Sequence, residues 1–238
     1  MNINTANLNT LLSASASNGS GSQATQATGT LAAASAALTK TATRIQADAS
    51  ATTAQLSSFG QLKSALATGQ TAAQALTQLS SVSSASEVTQ ATGDFFNAFN
   101  AAVKAAKTTA AVSGSSQAAQ AAGRVGRDLD GALTGGVANQ SAMSKLGLSV
   151  QADGSLKQDA SKFAAALAKD PAGVRAALAQ LGQQVQAAAN KELAGDGNVG
   201  ASVAKLNLHS SALAQQQKAM LSLQQSTGLS VYQQASGS

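Results

Sequence analysis

Residues 31–66 read LAAASAALTKTATRIQADASATTAQLSSFGQLKSAL, and within them Leu31, Leu38, Ile45, Thr52, Phe59 and Leu66 fall seven residues apart without a slip. A seven-residue apolar repeat keeps one seam on one side of a gently supercoiled α-helix. Leu56 and Leu62 thicken the stripe toward its end, whereas alanine dominates its start. The spacing predicts a long helix over residues 30–68, about 55–60 Å at 1.5 Å per residue. Its first half should pack loosely and its second half well.

The other end of the chain repeats the pattern. Val199, Leu206, Leu213 and Met220 are again seven apart, with Val203 and Leu223 beside them. A second long helix is expected over 196–228, starting at Gly197 or Asn198 and stopping at Gly228, with a flexible tail over 229–238. Two such seams are natural partners, so an antiparallel coiled coil of the N- and C-terminal helices is expected. The competing arrangement packs each seam on the central residues or on another copy of the chain.

Composition supports a mainly α fold. Hydrophobic residues make up 44% of the 238, yet aromatics only 3%, so most of the apolar content is alanine. Alanine loses no side-chain entropy in a helix, and its methyl buries little area. Only one proline, Pro171, interrupts the chain. Residues 13–30 (SASASNGSGSQATQATGT) are small and polar and bury too little to offset ordering, so residues 1–29 are expected to be a disordered N-terminal segment.

Shorter elements lie between the seams. A linker is expected over 69–87 and an inner helical domain over 88–195. Phe95, Phe96, Phe99 and Val103 follow Val88 at three-to-four spacing and mark the nucleus of a core. Val125, Leu129 and Leu133 form a further helical stripe ending at Gly135–Gly136. One β-hairpin is expected near 146–157: the short runs around Leu148 and Leu156 flank Asp153–Gly154, and glycine accepts the positive φ of a tight turn. Asp159 then caps a helix carrying Phe163 and Leu167, and Asp170–Pro171 starts the next.

Several kinds of chemistry are disfavoured. The net charge of +5 and pI near 9.7 raise nucleic acid or an anionic membrane as partners, but the basic residues are scattered singly and no aromatic platform accompanies them. No nucleic-acid partner is expected. Cysteine is absent, which excludes disulfides and thiolate chemistry. Residues 1–29 lack a basic n-region and an apolar h-region, so no secretory signal peptide is expected. No stretch reaches the roughly 18 consecutive apolar residues of a membrane span. His209 is the single histidine and has no acid within seven residues on either side, so it reads as a surface helical residue. Asp128-x-Asp130-Gly131 resembles the start of a calcium loop but lacks the later oxygen ligands. No GxxxxGK(S/T) or GxGxxG pattern occurs. No catalytic, cofactor-binding or metal-ligating residue is expected, and the chain does not read as an enzyme.

Three stretches, in order, resemble the bacterial flagellar filament cap family, hook-associated protein 2. They are Ala54-Gln-Leu-Ser-Ser-Phe-Gly-Gln-Leu-Lys-Ser-Ala-Leu66, Val88-Thr-Gln-Ala-Thr-Gly-Asp-Phe-Phe-Asn-Ala-Phe-Asn-Ala-Ala-Val-Lys104, and Leu146-Gly-Leu-Ser-Val-Gln-Ala-Asp-Gly-Ser-Leu156 followed by Phe163, Leu167, Asp170–Pro171 and Val174. In that family a large, mainly β insertion separates the first two stretches; here only about twenty residues do, so the chain looks like a short version without the outer domains. The resemblance implies a structural protein of the flagellum that self-assembles into a homo-oligomer and supports flagellin polymerisation at the filament tip. It also implies export through a type III apparatus, with flagellin, hook-associated proteins and an export chaperone as further partners. Leu31, Leu38, Ile45, Phe59, Leu66, Val199, Leu206, Leu213 and Met220 are the expected seam and assembly residues. A regulatory module that occupies the cap, chaperone or export site, and a non-flagellar type III secreted helical protein, are the alternatives.

Overall fold

The structure, a computed structural model, describes residues 23–135 and 137–236. The described elements are α1 (Gln23–Thr77), α2 (Ala85–Val112), α3 (Gln117–Thr134), α4 (Val137–Lys145), β1 (Leu148–Val150), β2 (Leu156–Gln158), α5 (Ala160–Lys169), α6 (Pro171–Leu193) and α7 (Asn198–Ser236). The fold is mainly α with one small antiparallel hairpin. The chain divides into two compact units: one joins residues up to Ala49 with those from Ala212 onward, and the other is Ser50–Ser211.

Three boundaries differ from the sequence reading. The first helix runs past residue 68 to Thr77, so most of the expected linker becomes helix and only Gln78–Ser84 connect α1 to α2. The reason is continuity of the buried stripe: Ala73 and Leu76 extend the row of Phe59, Leu62 and Leu66 into the same core. At its other end α1 includes Gln23–Gly29, part of the segment expected to be disordered. Two alanines and two glutamines among those seven residues favour helix; residues 1–22 lie outside the described residues. At the C-terminus α7 passes through Gly228 to Ser236, where a stop and a flexible tail were expected. One interior glycine costs about 1 kcal/mol relative to alanine, too little by itself to end a helix.

In the Ser50–Ser211 unit, local signals fix each start. Ser84 and Glu87 make a capping box at α2: the Ser84 hydroxyl accepts from Glu87 N–H at 3.2 Å, and Ser84 N–H donates to Glu87 Oε2 at 2.6 Å. Ser116 caps α3, Asp159 caps α5, and Asp170 caps α6 with Pro171 in its first turn. Helices α2 and α3 pack side by side, and α6 closes over α3. The core between them and α1 holds all five phenylalanines, with the Phe95 ring centroid 5.9 Å from Phe96 and 6.1 Å from Phe99.

The hairpin docks on this core through backbone groups. Leu148 pairs with Gln158, Ser149 with Lys157 and Val150 with Leu156. The turn closes at Gly154, whose φ of 77° is costly for any side-chain-bearing residue, and the Asp153 carboxylate accepts from Ser155 N–H. Asn100, on α2, then acts as a third strand: its Nδ2 donates to Leu156 O at 3.0 Å and its Oδ1 accepts from Leu156 N–H at 2.7 Å. Leu156 is thereby held on α2, and Leu148 and Leu156 are both buried in the core.

Replacing Asn100 by Ala should leave both backbone groups of Leu156 without their partner. The expected cost is about 1–3 kcal/mol in chemical denaturation. Amide exchange should accelerate across residues 148–158 while the far-ultraviolet helical signal is kept; unchanged exchange there would refute the docking role.

Candidate functional site

The seam residues fall into two separate clusters. In the Ser50–Ser211 unit, Phe59, Leu66, Val199 and Leu206 all belong to the phenylalanine core, with Phe59 and Val199 completely buried. In the terminal unit, Ile45, Leu213 and Met220 form a smaller cluster, joined by half-buried Leu38, Ala42, Ala49 and Leu223. Gln217 Nε2 donates to Gln46 Oε1 at 3.2 Å beside it. The side chain of Leu31 lies outside the described residues. Each described seam residue is therefore covered, wholly or in part, by its own chain.

The inner-domain residues Phe95, Phe96, Phe99, Val103, Leu148, Leu156, Phe163 and Leu167 all sit in the larger cluster. Thr52 continues the heptad as a buried hydroxyl residue, and Ser58 pairs with Thr109 inside the unit. The Ser58 hydroxyl donates to Thr109 Oγ1 at 2.8 Å, and Thr109 Oγ1 donates to Ser58 O at 3.1 Å, which pins α1 to α2 in register.

A polar junction that sequence reasoning missed lies where α3, the end of α6 and the start of α7 meet. Arg124 Nε donates to Asn198 Oδ1 at 2.9 Å, and Asn198 Nδ2 donates to Glu192 Oε1 at 3.1 Å. Lys191 Nζ donates to Asp128 Oδ2 at 3.2 Å. Glu192 is fully buried, and its second oxygen, Oε2, receives no donor. The Asp128 carboxyl lies against the Glu192 carboxyl. Burial, and next the Asp128 carboxyl, push Glu192 above the usual glutamate range. Contact with Glu192, and further Lys191, holds Asp128 below the usual aspartate range. The available signal was positional: Val185, Ala189 and Glu192 are spaced three to four residues apart, which places Glu192 on the buried stripe of α6.

An open groove beside this junction is lined by residues that include Gln55, Ser116, Arg124, Lys205 and exposed His209. Among the described residues no group of three or more metal-ligating side chains gathers, and no helix is long and apolar enough to cross a membrane. Large apolar side chains are exposed at Val82, in the short connection between α1 and α2, and at Leu208 and Leu221 on α7.

Compared with known protein families, residues 67–236, more than two-thirds of the chain, match the family model described as flagellar hook-associated protein 2 C-terminus. No curated protein matched the chain, and no solved structure did.

The two clusters should respond differently to truncation. Phe59→Ala removes a fully enclosed ring and should cost about 3–5 kcal/mol in urea unfolding. Ile45→Ala should instead raise amide exchange over residues 38–49 and 213–223 and leave protection of the Phe95–Phe99 helix unchanged. Equal losses in both regions from Ile45→Ala would show that the terminal cluster has no identity of its own.

Proposed function

The chain belongs to the family of flagellar hook-associated protein 2, and from that premise we propose that it is a structural subunit of the bacterial flagellum which works by assembling with copies of itself. The observation that carries this reading is the extent of the match. It spans the last turns of α1, the inner helical domain with its hairpin, and all of α7. The role is one of binding and support at the filament tip rather than catalysis, with flagellin and hook-associated proteins as neighbours. Export through a type III apparatus, with a chaperone holding the chain beforehand, belongs to the same proposal.

The terminal unit supports self-assembly on physical grounds. Its cluster contains three buried apolar residues and no aromatic. Burying each contributes roughly 1.5–3 kcal/mol, against an ordering cost of about 1–2 kcal/mol for every backbone residue fixed. Further apolar contact from neighbouring copies would tip that balance. A second reading, a regulatory module that occupies the cap, chaperone or export site, draws on the connection between α1 and α2. Only Gln78–Ser84 stand there, which leaves no room for the outer domains that the cap family carries at this point.

Light scattering of the purified full chain across concentration and salt separates the two. Discrete oligomers of several subunits are expected, and Ile45→Asp or Leu213→Asp should reduce them to monomers. A concentration-independent monomer would overturn self-assembly and favour the regulatory module.

A further inference from the structure

Glu192 is the one ionisable side chain among the buried residues described. It sits in the last turn of α6, six residues before Asn198, the first residue of α7. The joint between them is closely built. Gly197 N–H donates to Ala194 O at 2.9 Å, and a Cβ on Gly197 would lie 2.6 Å from Glu192 O. The backbone there has no slack with which to swing Glu192 out to solvent.

The cations nearby are already engaged. Lys191 donates to Asp128 and reaches Glu192 only through space, and the Arg124 Nε–H donates to Asn198. Arg127, also on α3, acts on Asp128. From α7 the only contact is the neutral Asn198 amide, and from α1 the neutral Gln70 reaches Asn190 at 2.7 Å. Asp196, in the connection, is exposed. Glu192 therefore has the Asp128 carboxyl and the Asn198 amide as its hydrogen-bonding neighbours, with the Lys191 charge acting on it only through space and outweighed by burial and the Asp128 carboxyl. Two adjacent anions with one of them enclosed is an unfavourable arrangement; one proton between them turns the repulsion into a charge-assisted hydrogen bond.

We propose that Glu192 and Asp128 share one proton, and that this proton latches α3, the end of α6 and the start of α7 together, so that its loss loosens the α6–α7 joint. Glu192 Oε2–H donates to the Asp128 carboxylate, while Glu192 Oε1 accepts from Asn198 and Asn198 accepts from Arg124. On deprotonation the proton passes to solvent, two carboxylates face each other, and the first turn of α7 is released from the junction.

The linkage has a definite sign. The proton is held more tightly folded than unfolded, so the latch's contribution is fully present below the ordinary glutamate value of 4.5 and is lost as pH rises through the raised folded value. Asp128 contributes in the opposite sense, present above its ordinary value of 3.8 and lost as pH falls. Carbon-13 NMR of the Glu192 carboxyl in the full chain should titrate with a midpoint above 4.5; a midpoint at or below it overturns the proposal. Urea midpoints measured from about pH 5 to about pH 8 provide an independent check. The wild-type midpoint should fall with pH relative to Glu192→Gln, which carries a permanent N–H toward Asp128. Amide exchange of residues 193–202, corrected for its intrinsic pH dependence, should rise over the same range in the wild type alone. Parallel midpoint profiles for the two proteins would also overturn it.

Discussion

Phe59, Phe95, Phe99 and Phe163, each at most 2% exposed, fill the space that alanine leaves open, and the Ser50–Ser211 unit is arranged around them. An alanine-rich helix pair gains little per residue from burial, so a few large rings must supply area and fix distances. The rings come from three helices, α1, α2 and α5, which is why elements far apart in sequence share one core. Around the rings, the packing is completed by single methyls such as Ala73, Ala102, Ala106 and Ala122, which let the helices approach closely. Polar groups then set register where apolar packing is too uniform to do so. The Ser58–Thr109 pair and the Asn100 clamp on Leu156 are both directional in a way that alanine contacts are not.

Much of this was legible from residue spacing. The heptad at Phe59 and Leu66, the phenylalanine face of α2, the Asp153–Gly154 turn and the Asp170–Pro171 helix start each rest on a local rule whose physical cause acts within a few residues. What was not legible depends on partners distant in the chain. Residues 69–77 look polar, and only the core they meet makes Ala73 and Leu76 its members. Asn100 reads as a surface residue until a hairpin 56 residues later presents its backbone. Glu192 reads as charged and solvated, because a sequence pattern gives no hint that a carboxyl on a buried stripe will meet a second carboxyl on another helix. The two seams are expected to pair with each other, and every described member is covered at least in part, some in the phenylalanine core and some in the terminal cluster. Heptad spacing specifies that a stripe is buried, not by what.

The family match begins at residue 67, within α1, and takes in the short connection at Gln78–Ser84. That connection is capped rather than frayed: Ser84 and Glu87 close the start of α2, and Ser83 Oγ accepts from Ser80 N–H at 3.1 Å. A tight, hydrogen-bonded crossing between α1 and α2 means that the inner domain closes on itself where a short linker in place of outer domains is expected from the sequence. Among the described residues no separate lobe stands at that crossing.

The two units are unequal. Every phenylalanine lies in the Ser50–Ser211 unit, and the terminal unit has none among its buried residues. Cavity and transfer costs scale with the area enclosed, so the terminal helices are held by the smaller part of the chain's apolar contact. Threonines along the exposed stretch of α1 turn their hydroxyls back to carbonyls four residues earlier, at Thr39, Thr41 and Thr43. This satisfies the hydroxyls locally, while Lys40 and Arg44 stand exposed on the same stretch. With few large apolar side chains, this stretch is poorly suited to standing alone as a hydrophobic core. The division follows from composition: rings anchor the Ser50–Ser211 unit, and a few aliphatic side chains among small residues make the terminal cluster.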